Sequence, residues 1–130
     1  MRFTPLFIAA LLCWSNLGAA NAADAKKGKK VFTQCLACHS VTADGPRRAG
    51  PHLAGLIGRT VGGDAGYTRY SDALKTADFA WTEERLDTFL TNPNGLLPGL
   101  QATMRVRKIR DEEDRKNLIA FLKQATAQKN

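Results

Sequence analysis

Two stretches of this chain carry apolar residues at helical spacing. In the first, Leu86, Phe89 and Leu90 follow Trp81-Thr82-Glu83-Glu84, a buried stripe behind a polar start. Thr82 is the candidate N-cap and Pro93 ends the run. In the second, Asp111 to Gln128, Leu118, Ile119, Leu122 and Ala125 form one apolar face. Acidic residues crowd its first turn and Lys123 and Lys129 lie late, as the helix dipole favours. A third helix is predicted over Asp24 to Gln34, with Asp24 as N-cap and Val31 and Phe32 as its apolar patch. Gly28 inside it costs about 1 kcal/mol relative to alanine, which fits either close approach of another backbone or simple tolerance of the glycine. Ser71 to Ala77 can form a short helix. The segments Gly45 to Gly66 and Asn92 to Arg107 read as loops. The pattern predicts an all-α fold of three to five helices, with loops long enough to need something to pack against.

The start of the chain has a different character. Arg2 precedes an apolar segment, Leu6 to Trp14, and then the small-residue triplet Ala20-Asn21-Ala22. A charged start, a short apolar core and an A-x-A site describe a cleaved secretory signal over residues 1–22. The apolar run falls short of the roughly 20 residues a membrane span needs. Cys13 would be discarded with the signal. Residues 23–130 remain as one small domain. A domain of that size buries only a modest core, so a disulfide, metal or cofactor would help hold it together.

The chain of 130 residues has only three cysteines and two histidines, yet Cys35, Cys38 and His39 sit within five positions. A disulfide between Cys35 and Cys38 would close a tiny loop and add little stability. A thioredoxin-like pair needs a preceding strand in a βαβ frame, and no run of β-branched residues supplies one. A structural zinc site needs four ligands, and only His39 and His52 could join the thiols. The fourth reading fits best: C-x-x-C-H is the signature of covalent haem attachment. Three residues make nearly one helical turn, which sets both thiols on the same side of the chain.

The formal net charge of +7 implies acidic partners and says little about fold. Nucleic acid fits an exported protein poorly, and no basic run is interleaved with aromatics. No second hydrophobic span follows the first and no broad apolar patch is legible, so a soluble monomer is expected.

With these elements placed, the mature region resembles the small class I c-type cytochromes, mitochondrial cytochrome c and its bacterial periplasmic relatives. "GKKVFTQCLACH", "AGPHLAGLIGRTVG", "YSDALK", "FAWTEERLDTFLTNP", "LPG…M" and "DRKNLIAFLKQAT" occur in family order. The resemblance implies the small cytochrome c fold around one haem c, bound through Cys35 and Cys38. It implies His39 and Met104 as iron ligands and the Pro51 carbonyl as acceptor for the second ring nitrogen of His39, a contact that orients a ligating histidine. Arg59, Tyr70 and Trp81 would hydrogen-bond near the haem propionates. Gly28 and Phe32 would pack against Phe121 where the first and last helices cross. His52 adjoins Pro51, on the His39 side of the haem, and is read as a loop histidine.

The pattern departs from the family near Met104. Pro98 to Met104 is two residues longer than the usual motif, Arg105-Val106-Arg107 lacks the family's phenylalanine, and Phe89 and Leu74 replace a tyrosine and an asparagine. A weaker iron–sulfur bond and a more mobile Met104 loop are expected. The implied function is soluble periplasmic one-electron transfer, not enzymatic catalysis. Arg47, Arg48, Arg105, Arg107 and Lys108 would form a basic rim for acidic partners: a quinol–cytochrome c reductase as donor, and a terminal oxidase, reductase or reaction centre as acceptor. A gas sensor or peroxidase-like domain with a labile sixth ligand is the alternative; a subunit of a larger dehydrogenase complex would use the same chemistry.

Overall fold

A computed structural model describes residues 22–100 and 108–127. Met104, Arg105, Arg107, Cys13 and nearly all of the predicted signal therefore lie outside the described residues. Five helices occur among those described: α1 (Ala25–Phe32), α2 (Asp72–Lys75), α3 (Glu83–Thr91), α4 (Pro93–Leu96) and α5 (Glu112–Ala125). The only β-type pairing described is an isolated antiparallel bridge between Thr60 and Ala80.

The long helices begin where their caps dictate. The Asp24 carboxylate accepts from the backbone N–H groups of Lys26 and Lys27 at 2.8 and 3.2 Å. The Thr82 hydroxyl accepts from Arg85 N at 3.2 Å, and the Asp111 carboxylate from Asp114 N at 2.8 Å. Each bond satisfies a donor that the first turn would otherwise leave unpaired. The one difference from the pattern is α4, which occupies part of the segment read as loop. Pro93 ends α3 and then opens α4, because proline at a first helical position loses no hydrogen bond.

Helices α1 and α5 cross and form the main helix–helix contact. Gly28 permits it: a side chain there would overlap the Asn117 carbonyl and come within 2.8 Å of Phe121 Cβ. Phe32 is 2% exposed and its ring lies 5.3 Å from that of Phe121. The Asn117 side chain, buried in the same crossing, accepts from Asp24 N at 2.6 Å. Leu118, Ile119 and Leu122 turn inward to meet Leu86 and Phe89 of α3 in one core, and Trp81 packs edge-on against Phe89 at 5.1 Å.

Beyond this helical half, the chain from 40 to 71 runs without a helix. Gly58 and Val61 donate their N–H groups to Trp81 and Phe79, and Trp81 donates to Arg59, each at 2.9 Å. These bonds lay residues 58–61 beside 79–81. Gly55 N donates to Thr126 O at 2.6 Å and ties the loop to the end of α5.

Candidate haem site

The helical half and the loop half face each other across a cleft of about 480 Å³. Its walls are largely apolar: Phe32, Leu53, Leu56, Leu74, Trp81, Leu86, Phe89, Leu90, Ile109, Leu118 and Leu122. Chemistry-bearing groups share this lining. Cys35, Cys38 and His39 line it, and so do Arg59, Tyr70 and Ser71.

The cysteine edge grows out of α1. Cys35 N donates to Phe32 O at 2.8 Å, so the chain continues turning past the helix end. Cys35 O then accepts from Cys38 N at 3.0 Å and from His39 N at 2.9 Å. This single turn presents both thiols to the cleft, unbonded to each other. Burial first, and then the charge of Cys38, push the Cys35 thiol above its ordinary value. His39 Nδ1 donates to the Pro51 carbonyl at 2.9 Å, which leaves Nε2 of the neutral ring as the lone-pair nitrogen. Burial lowers the imidazole's proton affinity, and the Pro51 carbonyl only partly opposes this. The ring is therefore held in the neutral form that a metal ion binds.

Arg59 reaches back along the loop wall. Its Nη1 donates to Ala54 O at 2.9 Å and its Nη2 to His52 O at 2.8 Å. Its Nε is buried without a partner among the described residues, and so is Ser71 Oγ. Tyr70 OH accepts from Asp64 N at 3.3 Å, and burial raises its pKa, so the phenol stays protonated.

The sequence profile described as "Cytochrome c" matches residues 25–126. The chain is 38% identical over 113 residues to "Cytochrome c2" of Blastochloris viridis, covering 87% of each chain. It is 40% identical to "Cytochrome c" of Guizotia abyssinica over 87% of this chain and 100% of that one. "Cytochrome c" of Chlamydomonas reinhardtii is 41% identical over 87% and 99% of the two chains. The chain belongs to the cytochrome c family, among its class I members. Proteins of this family are haem-based electron carriers rather than enzymes, and they hold haem c covalently.

The cleft fits that cofactor. A porphyrin presents apolar faces, which the leucine and phenylalanine walls match. It also carries two carboxylate arms. Arg59 Nε and Ser71 Oγ are buried polar atoms left unpaired among the described residues that line the cleft, an arrangement that costs stability unless a ligand satisfies them. The other readings of the cysteine pair fare worse. Among the described residues no group of three or more His, Cys, Asp or Glu side chains converges as a metal site, and no strand precedes Cys35.

Three residues at this cytochrome's cleft were not picked out by sequence. Ser71 caps α2 by position, yet its hydroxyl makes no capping bond and stays available to the cleft. Gly50 lies so close to His39 that a side chain would come within 2.6 Å of the ring's Cε1. Its N–H donates to Cys38 O at 2.8 Å, which closes the turn behind the histidine. Gly62 has φ +70° and no room for a side chain against the Leu74 carbonyl, so only glycine meets both demands. The Gly50-Pro51 dipeptide was the one available signal, and it marks a turn without saying what the turn approaches. Trp81 lines the cleft and is 7% exposed. Leu74 and Phe89, the two replacements, both line it as apolar wall.

Proposed function

We propose that the protein is a soluble periplasmic one-electron carrier whose haem c is attached through Cys35 and Cys38 and ligated by His39 and Met104. The observation that carries the reading is the single cleft edge on which both thiols and a neutral, carbonyl-oriented imidazole meet. When bound, the haem supplies an iron that passes between ferrous and ferric states without leaving its ligands.

The chain's own residues do the rest. The Pro51 carbonyl fixes the His39 tautomer and ring orientation and makes the ligand more basic. The apolar walls exclude water, which keeps reorganisation small on electron transfer. Arg59, Tyr70, Ser71 and Trp81 offer polar contacts for the carboxylate arms. A thioether from Met104 would raise the iron potential and leave no open coordination position.

Export is supported by the signal-like residues 1–22 and by similarity to the bacterial cytochrome c2. No helix among the described residues is long and apolar enough to cross a membrane. Of the basic rim, Arg47, Arg48 and Lys108 are exposed and suit steering toward an acidic partner, at a rate that falls with salt. The expected donor is a quinol–cytochrome c reductase, and the acceptor a terminal oxidase, reductase or reaction centre.

The visible spectrum of reduced, periplasmically matured protein, before and after carbon monoxide, tests this. A low-spin spectrum unchanged by the gas is expected. Prompt carbon monoxide binding would show an open sixth position and favour a ligand-binding haem protein instead.

A further inference from the structure

We infer that Tyr67 and Arg69 are positioning residues for the iron ligand His39, acting through the single peptide group that joins Ala49 to Gly50. This rests on the proposed ligation of haem iron by His39.

Two segments distant in sequence converge on that peptide. Ala49 O accepts from Tyr67 OH at 3.0 Å and from Arg69 Nη2 at 2.9 Å. Gly50 N, in the same peptide, donates to Cys38 O at 2.8 Å. The C=O and N–H of a planar trans peptide point in opposite directions. The group is therefore clamped from both sides, by residues 67–69 on one and by the Cys35–His39 turn on the other. The next residue carries the ligand's acceptor, since His39 Nδ1 donates to Pro51 O at 2.9 Å.

Gly50 makes the clamp necessary. A side chain there would come within 2.6 Å of His39 Cε1 and 2.9 Å of Cys38 O, so the close approach to the ring demands glycine. Glycine is also the residue with the most backbone freedom, and Pro51 after it has its φ fixed by the ring. The looseness between the 49–50 peptide and the Pro51 carbonyl thus lies mainly at Gly50. Holding the peptide before it is the available remedy.

The two donors are themselves held as a pair. Tyr67 N donates to Asp64 O at 3.0 Å. The Tyr67 ring packs edge-on against Tyr70 at 4.8 Å, and the Arg69 guanidinium carbon lies 5.5 Å from its centroid. A carbonyl oxygen has two lone pairs and takes both bonds. The Arg69 bond is charge-assisted, and an amide polarised at its oxygen donates more strongly from its nitrogen, here to Cys38 O.

The sign of the effect on the iron follows. A carbonyl that holds Nδ1–H firmly makes histidine a more basic ligand, which favours the ferric state. Loosening Pro51 should raise the reduction potential. Loss of the Arg69 charge alone would lower it, because a nearby positive charge favours the less positive, reduced form. The variants are therefore chosen to keep every charge.

Tyr67→Phe, Arg69→Lys and the double variant of the holoprotein test the pair; lysine keeps the charge and gives up the planar fork. Tyr67→Phe should speed Gly50 amide exchange about fivefold, the fold-change of one net hydrogen bond. The His39 Nδ1–H resonance of the ferrous form should move, and the potential should rise, in each single variant and most in the double. A double variant with a lowered potential would overturn the inference, since the side chains would then act on the haem through their fields and not through His39. A lowered denaturant midpoint with an unmoved His39 resonance would overturn it too, as that is a merely structural role. The visible spectrum of the same samples separates two failures. Wild-type protein without a low-spin attached haem would overturn the ligation and the inference together, whereas an intact spectrum with an unmoved His39 resonance in the double variant overturns the inference alone.

Discussion

The two halves of this cytochrome are held together by different means. The α1/α5 crossing is a packed helix pair: Gly28 against Asn117, Phe32 against Phe121, and exposed ion pairs such as Lys27–Glu113 on its rim. The loop wall from 45 to 71 lends Leu56 and Val61 to the shared core and has no helix face of its own. Its side chains reach for backbone instead. Tyr67 OH and Arg69 both donate to Ala49 O, at 3.0 and 2.9 Å, and Arg59 donates to Ala54 and His52. Side chain-to-carbonyl bonds of this kind satisfy a loop's acceptors but bury little apolar area. The helix pair should therefore keep its shape better than the loop wall when the cleft is empty.

Removing the tethers is the strongest way to separate the halves. The double variant Cys35→Ala/Cys38→Ala should lose covalent haem, and amide exchange across residues 45–71 should become fast while the α1/α5 crossing keeps the larger share of its protection. Equal loss in both halves would mean that the crossing, too, depends on the cofactor. A smaller effect, confined to the helical half, is expected for Gly28→Val. Its side chain must push the Asn117 backbone away, and overpacking of this kind costs about 3 kcal/mol. The denaturant midpoint of the holoprotein measures it, and an unchanged midpoint would show that the two helices can slide apart freely. Tyr67→Phe is the matching test of the loop wall. It removes one bond to Ala49 O at a partly exposed site and should cost about 0.5–1 kcal/mol, with faster amide exchange in residues 45–51 and none of the change in α5.

The smallest expected effect concerns acid. The hydrogen bond from Lys116, and then its charge, hold the Glu112 carboxyl below its ordinary value of 4.5. The N-terminal backbone of α3 and Thr82 do the same for Glu84. A carboxylate whose folded pKa is depressed contributes stability above its unfolded pKa and loses it as pH falls through the folded one. Both groups are fully exposed, so the contribution is small and screened by salt. The denaturant midpoint should decline below about pH 4.5 slightly less steeply in Glu112→Gln than in the wild type, and the difference should vanish in high salt.

The same contrast explains how much could be read in advance. Helices α1, α3 and α5 were legible because caps and apolar spacing are local: Asp24 and Thr82 act at the positions their sequence context dictates, and Leu118, Ile119 and Leu122 point inward together. The Gly28 approach was half legible: glycine inside a helix carries a cost, and the family resemblance favoured close packing over simple tolerance as its reason. Helix α4 was missed because Pro93-Asn94-Gly95 carries turn chemistry that a single helical turn also tolerates. Of the site, the Cys35, Cys38 and His39 spacing was visible as a motif, and the Pro51 contact came only with the family resemblance. Ser71, Gly50, Gly62 and the bonds from Tyr67 and Arg69 to Ala49 were not, since each depends on a partner brought near by the loop path and not by spacing. The Arg115–Asp87 pair is another such case. Arg115 Nε donates to Asp87 at 2.7 Å, and its Nη1 to the carbonyls of Ile109 and Arg110 at 2.9 Å each, and nothing in the 28-residue separation announces it.

The central claim is that the cleft edge bearing Cys35, Cys38 and His39 is where haem is fixed. Peptide mass analysis of protein matured in a cytochrome c-assembling periplasm tests it most directly. The account predicts that the peptide containing Cys35 to His39 carries the mass of one haem and that neither cysteine can be alkylated. A low-spin haem spectrum from protein whose two cysteines are both open to alkylation would contradict it.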